Sequence, residues 1–197
     1  MTNIARKWAG AAALGAAVSG LLYSISFFAV GTRLAGLFLV TGGVLSTAVF
    51  AALYRELRDD GPYLSIWAVL LGTGAMLASV AHGGYDLASG FNSTGGVDTS
   101  IASPVDPRGL MTFGVAGIAV IAFSILLRRS STFSSELGYL GFALAFFMEV
   151  LYAGTLMALG THNPVIILSA VMAGFVLNPL WYGWLAIHWL RARVRRD

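Results

Sequence analysis

His82-Gly-Gly-Tyr-Asp86 and Asp106-Pro-Arg-Gly109 bracket the only long polar interval in a chain otherwise made of apolar runs. Three runs precede it and three follow, at about 8–30, 34–54, 63–82, 107–127, 137–159 and 165–190. Each approaches the roughly 20 apolar residues that a helix needs to cross a bilayer. The expectation is an all-α fold: a six-transmembrane-helix bundle forming one integral membrane domain over residues 1–197, with a long outer loop between helices 3 and 4. Gly83 and Gly84 make it an open question whether the third helix stops near His82 or runs on as far as Ala88.

Composition supports this reading. The chain is 57% hydrophobic and 11% charged, with a mean hydropathy of +0.79, far from an average soluble domain. Six spans use nearly all of the 197 residues and leave no room among them for a soluble domain. The absence of cysteine excludes disulfides, thiolate nucleophiles and Cys-ligated metal centres. The first run follows a short basic segment, yet it is long enough to span and another run follows at once, so it reads as a retained helix.

The net charge of +3 has a use other than nucleic-acid binding, which is not expected. Of the twelve basic residues, Arg6, Lys7, Arg55, Arg58, Arg128, Arg129, Arg191, Arg193, Arg195 and Arg196 fall on one side of a six-span threading, and only Arg33 and Arg108 on the other. By the positive-inside rule both termini are expected to be cytoplasmic, and the expected location is the cytoplasmic (inner) membrane. Trp181, Tyr182, Trp184 and Trp189 approach the inner interface, where amphipathic rings anchor helices, and His188 reads the same way.

This threading puts His82, Tyr85, Asp86, Asp98, Asp106, Arg108 and His162 at or beyond the outer surface. On a continued third helix His82 and Asp86 share a face, where imidazole and carboxylate would share a proton or a cation. His82 and Asp86 are the candidate catalytic pair. With His162 as a third ligand they are a candidate site for a divalent metal, and His82 with His162 is a candidate axial pair for a haem. Tyr85 and Arg108 are candidate ligand contacts, Arg108 toward a lipid phosphate or Asp86. Asp106-Pro107 reads as a helix cap, since Asp is favoured at the N-cap and Pro at the first helical position.

Glu149 falls inside an apolar run, where a carboxylate facing lipid would cost about 2.5–3.5 kcal/mol. It is expected to face the bundle interior, protonated or hydrogen-bonded, and to reach Asn178 beside the break that Pro179 makes in the sixth helix. Glu149 and Asn178 complete the candidate ligand-binding set.

At His82-Gly-Gly-Tyr-Asp-Leu-Ala88 and Asp106-Pro-Arg-Gly-Leu-Met-Thr-Phe-Gly114 the sequence resembles small six-span bacterial integral membrane proteins that have no assigned activity. The resemblance implies a fold and transfers no functional residue. Three functions are compatible with the residues: binding of a small apolar ligand or lipid in a polar pocket under the outer loop, a membrane-embedded enzyme with an outer His/Asp/Arg site, and an accessory or structural subunit. Expected partners are the bilayer, a lipid or small ligand, and a second copy or another membrane protein.

Overall fold

The computed structural model describes residues 1–92, 105–157, 159 and 162–191. All secondary structure among them is helical, and six helices are long and apolar enough to cross a membrane. In order these are α1 (Asn3–Ala29), α2 (Thr32–Leu57), α3 (Pro62–Asn92), a fourth span ending in α4 (Ala116–Arg129), α5 (Ser135–Leu156), and a sixth span made of α6 (Pro164–Val171) and α7 (Asn178–Arg191).

Each span packs against the next, and the sixth returns to α1, so the six make a closed ring. Thr2 starts α1 by accepting the Ala5 N–H on its hydroxyl at 3.3 Å, which brings the helix start ahead of Trp8. The hairpin from α1 to α2 turns on Gly31, whose φ of 137° is open to glycine and strained for other residues.

Two spans contain wide turns. The sixth stays continuous through Pro179 by adopting a π-helix over Met172–Leu177, in which the Asn178 N–H reaches back to the Ala173 carbonyl. Proline lacks a donor and its ring crowds the carbonyl four residues earlier, so the wider turn relieves what would otherwise be a break. The fourth span opens with a 3-10 turn over Pro107–Gly109 and a π-helix over Leu110–Val115 before α4 begins.

The end of the ring where α1 begins and α7 finishes, here the base, holds the heavy part of the core. Phe50 stacks on Phe123 with ring centroids 5.3 Å apart, and Leu53, Leu126 and Trp181 are fully buried around them. Three of the four aromatic residues expected to anchor the bundle at an interface are core instead. Trp181, Tyr182 and Trp189 are buried, and only Trp184, 41% exposed, faces outward. Their indole and phenol faces fill the ring because its other members there are mostly Ala and Leu. His188 stacks on Phe133 at 4.3 Å. A polar clasp closes the base, where Glu56 is paired with Arg6 at 3.3 Å and accepts the Trp189 indole N–H at 3.0 Å.

At the opposite end, the head, the buried residues include Ser79 and Asp106, and the outside of the ring is apolar, with Leu14, Leu70, Phe146, Leu168 and Leu180 exposed. The outer loop expected from Gly83 to Asp106 is shorter than that, because residues up to Asn92 belong to α3. Its remainder, residues 93–104 with Asp98, lies outside the described residues.

Candidate functional site

Because α3 runs unbroken past the glycine pair, Asp86 stands one turn beyond His82 on the same face, with His82 Nε2 3.5 Å from Asp86 Oδ2. Gly83 serves this arrangement by lying against Gly36 of α2, which draws the two helices together beside Asp86. The second carboxylate comes from the start of the fourth span. His82 Nδ1 lies 3.9 Å from Asp106 Oδ2, beyond hydrogen-bonding distance, and that nitrogen is buried with no hydrogen-bond partner.

Asp106 is fully buried and caps a helix, though not in the simple register that its sequence suggests. Its Oδ1 accepts the Met111 N–H at 2.8 Å and its Oδ2 the Thr112 N–H at 2.9 Å. The targets lie so far along because Arg108 and Gly109 adopt left-handed backbone, with φ of 56° and 72°, and curl the chain once before the helix begins. Thr112 then joins the fourth span to α3, its hydroxyl 3.2 Å from that of Ser79. Tyr23 of α1 lies within electrostatic reach of both Asp86 and Asp106. Sequence reasoning missed it; the one usable signal was a phenol standing toward the second end of an apolar helix.

The hydrogen bonds of Arg108 lead away from this cluster. Its Nη1 donates to the carbonyls of Thr155 at 2.6 Å and Leu156 at 3.4 Å, at the end of α5, and the Thr155 hydroxyl donates back to the Arg108 carbonyl at 2.7 Å. The last carbonyls of a helix have no partners within it and carry partial negative charge, so they suit a guanidinium as a carboxylate would. Tyr85, one turn along α3 from His82, is 41% exposed, and no hydrogen bond joins it to His82, Asp86 or Asp106 among the described residues. His162 is exposed before α6, and no three His, Asp or Glu side chains among the described residues are grouped as a metal site requires. The His82, Asp86, His162 metal set is therefore not assembled. Both ring nitrogens of His82, one half of the haem pair, face carboxylates.

Glu149 and Asn178 are also apart. Asn178 packs its amide against Gly20 of α1, whereas Glu149 lies against Gly117 of α4, and no hydrogen bond joins the two among the described residues. The expected clamp is not formed, because the π-helix before Pro179 keeps the sixth span intact and turns Asn178 toward α1.

No family model, curated protein or solved structure matches the chain. The functional reading therefore rests on geometry.

What the cluster can do follows from counting protons. A neutral imidazole has one N–H, and here it has a carboxylate near each nitrogen. One side of His82 is a donor short unless a second proton or a cationic group is supplied. His82 and Asp86 are each about one-fifth exposed, so that supply has access, while Asp106 behind them is closed.

Proposed function

We propose that this is a multi-pass protein of the cytoplasmic membrane, with both termini inside, that binds a small ligand or lipid head group at its outer end through His82, Asp86 and Asp106. The orientation rests on the distribution of lysine and arginine. The ligand reading rests on the buried His82 Nδ1, a polar atom without a partner on an imidazole that lies between two carboxylates. The chemistry that completes the cluster is cationic, an amine or ammonium group with N–H donors, attached to an apolar body that suits the surrounding helices.

The test is a native mass spectrum of the gently purified protein beside Asp86→Asn. A reproducible added mass that is lost in Asp86→Asn supports the reading. A bare chain in both, or a mass retained in the variant, removes it.

An enzyme built on His82, Asp86 and Arg108 has less support, since Arg108 is bonded at the end of α5. The accessory-subunit reading has one observation in its favour. An apolar groove of about 560 Å³ lies between α1 and α2, lined by residues that include Leu14, Gly15, Val18, Phe38 and Leu45. A second polypeptide that always accompanies the purified chain would favour it.

A further inference from the structure

Glu149 is set apart from the His82 cluster both in place and in chemistry. It lies on α5, seven residues before Leu156, hence roughly 10 Å below the head end at 1.5 Å per residue. Its environment is arranged by a glycine. A Cβ on Gly117 would come 2.5 Å from Glu149 Oε1, so only bare backbone on α4 lets the carboxyl group settle there. One turn outward Gly114 does the same for the ring of Tyr152, which keeps α4 and α5 close on both sides of the acid.

A structural clamp would meet these oxygens with donors, and none is present. Oε1 is buried without a partner, and Oε2 is neither enclosed nor hydrogen-bonded among the described residues. Among the described residues no ion pair joins the side chain to a charged group of α4, α5 or the sixth span. Arg108, at the head end of the α4–α5 contact, is hydrogen-bonded to Thr155 and Leu156. An unpaired charge in such a place is costly, and the one ligand that removes it without a protein partner is a proton.

We propose that Glu149 is an intramembrane proton-binding site, held against Gly117, that takes up and releases one proton through its open oxygen. The enclosed oxygen fixes the carboxyl group, and the open one exchanges. The site is separate from the His82 cluster and gives the protein a mid-membrane group whose charge follows pH.

Infrared difference spectroscopy of the protein in lipid nanodiscs tests this, with pH stepped across the range in which the fold survives. The chain has three glutamates, Glu56, Glu136 and Glu149, so carbon-13 glutamate labelling moves only their bands, and Glu149→Gln identifies the one that matters. If the variant fails to fold, Glu149→Asp in the labelled protein takes the Glu149 band out of the isotope-shifted set while keeping a carboxyl group there. The expected result is a carboxylic C=O stretch that is isotope-shifted, lost in Glu149→Gln, and weakened as pH rises. A glutamate band absent at every pH, or constant at every pH, would overturn the proposal, the second by making Glu149 a permanently neutral packing group.

Discussion

Gly36 of α2 and Gly83 of α3 meet backbone to backbone: a Cβ on Gly36 would stand 2.7 Å from the Gly83 carbonyl oxygen, and one on Gly83 2.6 Å from that of Gly36. Small residues allow this approach between membrane helices, where there is little hydrophobic drive and dispersion contacts do the holding. The adjacent Gly84 has nothing within 4 Å of its missing Cβ. Two glycines side by side in sequence thus have unlike duties.

Substitution separates them. Gly83→Ala is expected to destabilise the protein by about 1–3 kcal/mol through overpacking. Gly84→Ala should leave stability unchanged or raise it by up to ~1 kcal/mol through helix propensity. Thermal unfolding in detergent, followed by tryptophan fluorescence, reads both, and equal losses would remove the close crossing.

Asp106 offers both oxygens to the start of the fourth span. Asp106→Asn keeps one acceptor and should cost about 1–2 kcal/mol, while Asp106→Ala should cost more. Hydrogen exchange locates the effect, with faster exchange at the amides of Met111 and Thr112 than in the rest of that span. Unchanged protection at those two amides would contradict the cap.

The base clasp couples three helices through one carboxylate. Glu56→Gln should weaken the Arg6 contact yet keep an acceptor for the Trp189 indole, and Trp189→Phe should cost about 1 kcal/mol for the lost hydrogen bond. A double-mutant cycle of Glu56→Ala with Trp189→Phe is expected to show coupling of at least ~0.5 kcal/mol. Strict additivity would mean that the indole bond contributes nothing.

Arg108 should behave as a helix-end group. Arg108→Ala is expected to lower stability by about 1–2 kcal/mol by exposing the Thr155 and Leu156 carbonyls, without abolishing ligand binding at His82. Arg108→Gly should be milder than Arg108→Ala, because the position has a φ of 56° that glycine adopts freely. Loss of the bound mass in Arg108→Ala with the fold intact would return Arg108 to the ligand site.

The spans were legible because unbroken apolar runs need no partner to be recognised. The His82–Asp86 pair was legible too, since four-residue spacing places two side chains together as soon as the helix is granted. What the sequence left open depends on distant segments. Whether Gly83 and Gly84 break or tighten α3 is decided by Gly36 on another helix. Asp106 was recognisable as a cap, but its approach to His82 depends on the left-handed curl at Arg108 and Gly109, which local propensity does not announce for an arginine.

Among the expectations that differ from the structure, one differs for an electrostatic reason and one for a packing reason. Arg108 was expected to face a lipid phosphate or Asp86; of these the Asp86 pairing is not formed, and the carbonyl end of α5 serves as its counter-charge. The tryptophans of α7 were placed by their usual interfacial role, whereas a ring lined with alanine needs large side chains to fill it. Glu149 stands out in sequence as a carboxylate inside an apolar run, whereas its neighbour, Gly117, is nearly invisible there because glycine is so common.

The closure of the ring sets the order in which the protein can be made. Neighbouring spans can associate as they leave the ribosome, but α1 has one flank that stays open until the last span is synthesised. The contacts of Gly10 with Leu190, Ser24 with Gly174 and Gly20 with Asn178 all belong to that final seam. Until then the alanine face of α1 is turned to lipid or to whatever insertion factor shelters it, and the bundle is a crescent that the sixth span shuts.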